Sequence, residues 1–358
     1  MSNSRKVLIL GASYGSLLGT KLLLAGHSVT LVCTAPTAKL INAEGTIVKL
    51  PVRGQETPAI VDSKSLSATL DAATPDQVNP SDYDLVVLGM QEPQYGSPGV
   101  RELLDSVATS RVPCLAIMNM PPLPYLARLP GVDTDKVRSC FTEPAVWANF
   151  DPDLVTLASP DPQAFRPPEE AKNVLQVALP TNFKVARFAS DEHTAMLREL
   201  QADIEAIRFE HESGPVELPV KLKVHDSLYV PLAKWSMLVT GNYRCVQAED
   251  MRPIRDAVHE NLAISEACYQ WVCELCVSLG ASMDDMVPFE KYAKAATGLA
   301  KPSSAARALF GGAANIERVD LLVQLIAAQK GMQLTELDET VAHVNKRLES
   351  NRQLKQAG

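Results

Sequence analysis

The first 33 residues contain the pattern that most restricts how this chain can fold. Lys6–Leu10 is a short, mostly apolar run that stops at Gly11, as expected for a strand buried on both faces of a parallel sheet. The next segment, GASYGSLLGTKLLLAG, has leucines at helical spacing and a glycine at its end, and SVTLVC predicts a second strand. A strand, a glycine-rich turn, a helix and a strand within about 30 residues predict a nucleotide-binding βαβ unit.

The remainder of the pattern predicts two domains. Buried strands are expected at Asp84–Gly89 and Pro113–Met118, and Ser190 is the expected N-cap of a helix that reaches Ile207. Strand signals fade after Gly214, and a long helix is expected over Ala257–Leu279. We therefore predict an α/β domain with a Rossmann-type doubly wound sheet over residues 1–213 and an all-helical domain over residues 214–358.

Composition and charge exclude several classes of protein. The 358 residues suit about two domains, and 46% hydrophobic with 21% charged residues is ordinary for a globular chain. A net charge of −8 without a dense basic run argues against nucleic-acid binding. No apolar run reaches the ~18 residues of a membrane helix. Seven cysteines, an odd number, predict reduced thiols and a cytoplasmic location rather than a disulfide scaffold.

The glycine-rich turn supplies the first candidate site. Gly11 occupies the first position of the motif G-x-G-x-x-G, while Ser13 and Ser16 replace the other two glycines. A serine is small and its hydroxyl can donate to phosphate, and the helix N-terminus adds free N–H groups and a positive partial charge. We predict that Gly11, Ser13, Tyr14, Gly15 and Ser16 bind a dinucleotide. The alternative is a purely structural turn.

The end of the second strand bears on the choice of dinucleotide. An NAD site usually has an acidic residue there to bind the ribose hydroxyl, and the sequence Cys33-Thr34-Ala35-Pro36 has none. Thr34 and Lys39 are suited instead to a 2′-phosphate. This favours NADP, with NAD still possible and a solvated surface role as the alternative for Lys39.

Six segments resemble the ketopantoate reductase (2-dehydropantoate 2-reductase) family. They are KVLILGASYGSLLG at the N-terminus, INAEGTIVKLP at 41–51, DLVVLGMQEPQY at 84–95, AIMNM at 116–120, KWSMLVTGNYRC at 234–245 and KPSSAARALFGGAANIERVD at 301–320. The resemblance implies a Rossmann domain, a helical domain of the 6-phosphogluconate-dehydrogenase type, a cleft between them as active site, and a homodimer. It also implies hydride transfer from NADPH to a 2-oxo acid, with a lysine that protonates the developing alkoxide.

Positions that carry the family's chemistry are changed in this chain. Trp235 sets the register and places Met237 where the family has its catalytic lysine. In the same register, Gly241 and Cys245 stand where it has asparagines. A neutral thioether cannot protonate an alkoxide, so ketopantoate itself is not the expected substrate.

Two further positions differ. Gln91 replaces a lysine near the cofactor, while Gln94 and Asn119 match the family's cofactor-side residues. Asn315 replaces its glutamate, with Glu317 two residues later. We therefore predict that Gln91, Gln94 and Asn119 contact the cofactor.

The remaining residues of these segments give the expected catalytic set. Lys234 lies three residues before Met237, about 60° around a helix, so its long side chain can reach the same site. Asn242 follows Gly241 and can replace it only if the helix is distorted. Ser303 and Ser304 are expected to bind the substrate carboxylate, as the family's serine does.

These observations predict an NADPH-dependent oxidoreductase that reduces a small 2-oxo or imino acid. A catalytically silent relative that binds a nucleotide or metabolite is one alternative, because the acid and the orienting groups are lost together. An opine-type dehydrogenase with His225 as proton donor is another. Arginines near the site segments, any of which can hold a carboxylate, are Arg244, Arg307 and Arg318. No metal site is predicted, since Cys273 and Cys276 lie in an expected helix without further ligands.

Overall fold

The computed structural model describes residues 4–212 and 214–357, and the chain divides into two compact units. The first unit comprises Met1–Met90, Gln94–Tyr125 and Ala145–Asp226. The second comprises Gln91–Pro93, Leu126–Pro144 and Ser227–Gly358. The second unit therefore takes two short segments from the N-terminal half of the chain in addition to its C-terminal part.

The strands all belong to the first unit. They are β1 (Lys6–Leu10), β2 (Ser28–Val32), β3 (Ile47–Leu50), β4 (Ala59–Asp62), β5 (Leu70–Ala73), β6 (Leu85–Leu88), β7 (Cys114–Ile117), β8 (Val155–Ser159), β9 (Gln163–Phe165), β10 (Val174–Leu179), β11 (Phe183–Ala186), β12 (Phe209–His211), β13 (Gly214–Val216) and β14 (Leu222–His225). The short, continuously buried runs predicted from the sequence form β1, β6 and β7, which lie side by side in the main sheet.

The main sheet has eight strands in the order β5-β2-β1-β6-β7-β8-β11-β14. Strand β1 pairs in parallel with β2 on one side and with β6 on the other. The strands after β1 first extend the sheet on one side of it, through β2 and β5, and then on its other side, beginning with β6. The pair β1 and β6 is therefore the topological switch point. The prediction of a Rossmann-type doubly wound sheet is confirmed.

Two smaller sheets and one edge strand of the main sheet complete the first unit. A four-stranded sheet has the order β4-β3-β10-β9, and β12 forms a hairpin with β13. Strand β14 lies beyond Gly214, where we expected no further strand, and pairs in parallel with β11 at the edge of the main sheet. With the sequence LKVH and one fully buried residue, β14 lacks the continuous apolar run that marks β6 and β7, so only the partner strand identifies it.

The helices are α1 (Tyr14–Leu24), α2 (Ala35–Glu44), α3 (Val100–Ser110), α4 (Leu123–Leu126), α5 (Asp191–Ala206), α6 (Lys234–Met237), α7 (Ile254–His259), α8 (Leu262–Ser278), α9 (Phe289–Ala296), α10 (Ser304–Phe310), α11 (Val319–Gln329) and α12 (Thr335–Ala357). Residues 227–357 contain helices and no strand, which confirms the predicted helical C-terminal part. In the described ranges, no helix is both long and apolar enough to cross a bilayer.

Capping explains one correct and one wrong helix prediction. Ser190 caps α5 as expected, because its hydroxyl accepts a hydrogen bond from the Glu192 N–H at 3.1 Å. The single long helix predicted over Ala257–Leu279 is wrong, because the chain breaks between α7 and α8. Asn261 has extended backbone there, and its side chain caps α8 by accepting from the Ile264 N–H at 3.1 Å. An asparagine favours such a cap over a helix interior.

Candidate functional site

The turn after β1 brings two strand ends into close contact. Gly11 has a φ of +107°, a backbone conformation that residues other than glycine rarely adopt. A Cβ atom at this position would lie 2.9 Å from the carbonyl oxygen of Gly89, which follows β6. Glycine at position 11 therefore lets the backbone that follows β1 pass close to the backbone that follows β6.

The N-terminus of α1 presents backbone donors rather than serine hydroxyls. Ser13 is exposed, and its side chain does not cap the helix. Ser16 is buried, and its hydroxyl donates to the carbonyl oxygen of Ala12. The Tyr14 hydroxyl donates to the Pro160 carbonyl oxygen at 3.2 Å. The first N–H groups of a helix lack intrahelical partners, so those of α1 are suited to an anion.

Gly15 explains the departure from the usual glycine spacing. A Cβ at this position would lie 2.6 Å from Cγ2 of Ile9, so only a glycine lets α1 pack directly on β1. Close helix–strand packing is the task of the third glycine of the usual motif. In this chain the task falls to Gly15, one residue before Ser16. Gly15 is therefore a packing residue, whereas Ser13 is exposed.

Arg166 approaches the same turn, and sequence reasoning missed it. It follows β9, is half-buried, and donates from Nη2 to the carbonyl oxygen of Ala12 at 3.0 Å. It also adjoins the end of β2. Burial raises the pKa of the Cys33 thiol, and the positive charge of Arg166 opposes that rise. More than 100 residues separate Arg166 from the turn, so no local motif points to it.

The candidates after the other strands lie at their carboxyl ends. Thr34 is exposed just before α2, its hydroxyl donates to that of Thr37 at 3.1 Å, and Lys39 is exposed on the same helix. Gln94 is exposed in the loop after β6, which is held by a 3.1 Å hydrogen bond from the Met90 N–H to the hydroxyl of the buried Tyr95. Asn119 is partly buried two residues after β7, whereas Gln91 is exposed and belongs to the second unit.

A widened helical turn dominates the second unit. Leu238–Asn242 forms a π-helical turn, in which the Tyr243 N–H bonds to the Leu238 carbonyl oxygen. An i→i+5 bond encloses one more residue than the usual i→i+4 bond. The side chains after such a turn therefore point in the directions they would have in a regular helix that is one residue shorter. Asn242 thus occupies the helical position that residue 241 would have in a regular helix, and this is the distortion that the sequence analysis required.

Gly241 leaves room for a side chain that packs against the widened turn. A Cβ there would overlap the hydroxyl of Tyr292, which donates to the Met237 carbonyl oxygen at 3.0 Å. An asparagine at 241 would have no room, because Tyr292 fills that space. The glycine and the tyrosine together hold the widened turn.

Asn242 and Ser303 are brought together. The Ser303 hydroxyl donates to the Asn242 carbonyl oxygen at 2.6 Å and accepts from the Ala306 N–H at 3.1 Å as the cap of α10. Ser303 is only 2% exposed, so it positions the backbone rather than meeting a substrate freely. Ser304, the first residue of α10, is exposed. Lys234 is partly exposed at the start of α6.

A buried group of polar side chains adjoins the same turn. Tyr243 donates to the Glu317 carbonyl oxygen at 2.5 Å and accepts from the Val319 N–H at 3.1 Å. Arg318 forms two 3.0 Å hydrogen bonds with the fully buried Asp320. Arg318 is therefore committed to a structural pair. These contacts fasten the segment before α11 to the residue that follows Asn242.

Glu92 is a further buried acid that the sequence analysis did not single out. Its two carboxylate oxygens accept from the backbone N–H and the hydroxyl of Thr142, each at 2.9 Å. Burial raises its carboxyl pKa, and these hydrogen bonds oppose the rise. Its own N–H donates to the Glu317 carboxylate at 3.4 Å. A single acidic residue after a strand gives no sequence signal for such a site.

The remaining candidates lie elsewhere. Arg244 donates to the Ser265 hydroxyl at 2.8 Å inside the second unit, and Arg307 is exposed on α10. His225 ends β14, five strands and about 24 Å from β1 across the sheet. Cys273 and Cys276 are buried in α8, and burial raises the pKa of both thiols.

Comparison with known proteins identifies the fold. No model of a known protein family matches the sequence, and no curated protein matches it significantly. A 2-dehydropantoate 2-reductase from Methylococcus capsulatus superposes with a TM-score of 0.64 at 13% identity, over 97% of each chain. A PanE/ApbA family ketopantoate reductase from Ralstonia eutropha gives 0.58 at 15% identity, over 97% of this chain and 99% of that one.

A third structure agrees with these two. The dimeric ketopantoate reductase from Staphylococcus aureus gives a TM-score of 0.59 at 10% identity, over 97% of this chain and 99% of that one. The likeness covers both units, and it confirms at the level of the fold the resemblance found in six short segments. This chain has the fold of the ketopantoate reductases.

Proposed function

We propose that this protein is an NADPH-dependent oxidoreductase that reduces a small 2-oxo or imino acid other than ketopantoate. The observation that carries the proposal is the switch point of the main sheet. Gly11 and Gly89 meet there in backbone contact, beside the N-terminus of α1. Doubly wound sheets bind dinucleotides at this point.

The residues present fit a nicotinamide dinucleotide. The first N–H groups of α1 are suited to binding a pyrophosphate, and Gly11 adds no side chain to the turn that precedes them. The bound cofactor would supply the hydride. Thr34, Lys39, Gln94 and Asn119 are the proposed further contacts, and Gln91 is a further candidate.

The proposed substrate residues lie around the widened turn of the second unit. Asn242 would orient the substrate, Ser304 would bind its carboxylate, and Ser303 would hold Asn242 in place through its hydrogen bond to the Asn242 carbonyl oxygen. The developing alkoxide needs a proton, which Met237 cannot give. Lys234, one turn earlier, is the proposed donor, directly or through water.

The test is NADPH oxidation, followed at 340 nm, with a panel of 2-oxo acids in the presence and absence of ammonium. Wild type should turn over at least one acid, and Lys234→Met should lower kcat by about 100-fold or more, because a positioned acid contributes about 10²–10⁴ in rate. Lys301→Met, which removes an exposed lysine of the same unit, is the matched control.

A catalytically silent binding protein is the second candidate, and the replacements at Met237, Cys245 and Asn315 favour it. Tight NADPH binding without turnover of any acid would decide for it. A second copy of this chain is the proposed partner, in line with the dimeric S. aureus neighbour. Light scattering should then give twice the chain mass of 38.8 kDa.

A further inference from the structure

Arg166 differs from the ion-paired arginines of the first unit. Those arginines, each with a carboxylate partner, are Arg5, Arg111, Arg187 and Arg198. Within the described ranges, Arg166 has no carboxylate at ion-pair distance. Its one hydrogen bond is to the Ala12 carbonyl oxygen. The ionisable side chain that affects the pKa of Arg166 is the Cys33 thiol. A half-buried cation without a counter-charge is costly to the folded protein, which points to an anionic ligand.

The position of Arg166 indicates which anion this is. Ala12 lies in the turn after β1, and Cys33 directly follows β2. The two strand ends are joined by a 2.9 Å hydrogen bond from the Gly11 N–H to the Val32 carbonyl oxygen. In a doubly wound site the pyrophosphate lies at the turn, and the adenosine ribose lies at the end of the second strand. The Arg166 guanidinium is hydrogen-bonded at the turn, and its charge acts on Cys33 at the end of β2.

The end of β2 has the character that a phosphate on the ribose needs. Cys33 and Thr34 stand where an acidic residue would bind the free 2′-hydroxyl of NAD and repel a 2′-phosphate. A guanidinium has five N–H donors, and Arg166 uses one of them on Ala12. The remaining donors suit two oxygens of one phosphate group.

We propose that Arg166, reaching in from the end of β9, binds the adenosine 2′-phosphate and makes the site selective for NADPH over NADH. This inference rests on the proposed function, since it assumes a dinucleotide at the switch point. A residue that selects between NADPH and NADH is normally sought within the βαβ unit. This inference assigns the selectivity to a residue outside that unit.

The test uses two fragments that differ in the 2′-phosphate and lack both nicotinamide and pyrophosphate. Adenosine 2′,5′-bisphosphate and 5′-AMP are titrated into the full chain by isothermal calorimetry. Arg166→Gln should weaken the bisphosphate by about 10- to 100-fold and 5′-AMP by less than about twofold. Arg53→Gln, an exposed arginine of the same unit, should change neither. Arg166→Lys keeps the charge without the planar fork and should show a smaller loss with the bisphosphate alone.

Equal losses with both fragments would assign Arg166 to the 5′-phosphate side and overturn the inference, as would an unchanged affinity for the bisphosphate. Circular dichroism melting confirms that each variant is folded, and Arg166→Lys replaces Arg166→Gln if the latter is not. NADPH and NADH are titrated into wild type in parallel. If neither binds, the proposed function fails as well. If both bind and Arg166→Gln leaves their ratio unchanged, only this inference fails.

Discussion

The buried Lys21 gives a test of how the first unit is packed. Its side chain in α1 is 1% exposed, and Nζ donates to the carbonyl oxygens of Leu218 at 3.4 Å and Pro219 at 3.1 Å. Burial, with a smaller effect of the nearby Lys221, lowers its pKa from 10.5 to about 7. The folded chain therefore holds this proton less tightly than the unfolded chain does.

The sign of the pH effect follows from this difference. Between pH 7 and pH 10.5 the unfolded chain carries the proton and the folded chain largely lacks it, so the free energy of unfolding rises with pH in this range. One pKa unit corresponds to about 1.4 kcal/mol, so Lys21 should add about 2 kcal/mol between pH 7 and pH 9. Below pH 7 its contribution is constant and unfavourable.

Lys21→Met removes the titration and keeps a side chain of similar length. The two carbonyl oxygens lose a donor, which costs about 1 kcal/mol each, but the larger cost of the buried charge disappears at low pH. We expect the variant to be about 2 kcal/mol more stable than wild type at pH 6 and about equal to it at pH 9.

The measurement is urea unfolding at several pH values between 6 and 9, followed by circular dichroism. Lys172→Met, which removes an exposed lysine of the same unit, is the control and should follow the wild-type profile. If the profiles of Lys21→Met and wild type run parallel, Lys21 does not titrate in this range and the reasoning is refuted.

Three substitutions test the packing described above. Gly241→Ala makes a Cβ overlap the Tyr292 hydroxyl and should lower the free energy of unfolding by about 1–3 kcal/mol. In a double-mutant cycle measured by urea unfolding, Tyr292→Phe should restore part of this loss. Additive effects of the two substitutions would disprove the contact. Asp320→Asn leaves the Arg318 cation buried opposite a neutral amide and should cost about 3–5 kcal/mol in the same assay, so a loss below 1 kcal/mol would contradict the buried pair. Gly15→Ala brings a Cβ within 2.6 Å of an Ile9 methyl group and should lower both the melting temperature and the NADPH affinity, whereas an unchanged affinity would separate the helix packing from the binding turn.

Local patterns were sufficient for much of the first unit. The apolar runs of β1, β6 and β7 and the serine cap of α5 each depend on neighbouring residues, so the sequence alone locates them. The likeness in fold could likewise be recognised from short motifs. Strand β14 and the break between α7 and α8 were missed, because one needs a partner strand and the other depends on a single asparagine within an apolar pattern.

The candidate site was less predictable because its geometry depends on distant contacts. Arg166 reaches Ala12 across 154 positions, and Glu92 meets Thr142 across 50. The sequence showed that Asn242 needs a distorted helix, but the π turn that provides the distortion depends on Tyr292 in α9. The Ser303 hydroxyl is hydrogen-bonded to the backbone at Asn242 and Ala306 instead of being free to bind a substrate. The sequence alone does not show these two hydrogen bonds.

The widened turn also makes the chain tolerant of a change in length at this point. Deleting a residue from a regular helix such as α8 rotates everything beyond it by about 100°. Deleting Gly241 would instead close the π turn into an ordinary one, with Asn242 and Tyr243 still facing as they do now. A shorter relative with an uninterrupted helix would then present the same side chains, so related sequences should be aligned here with a one-residue gap.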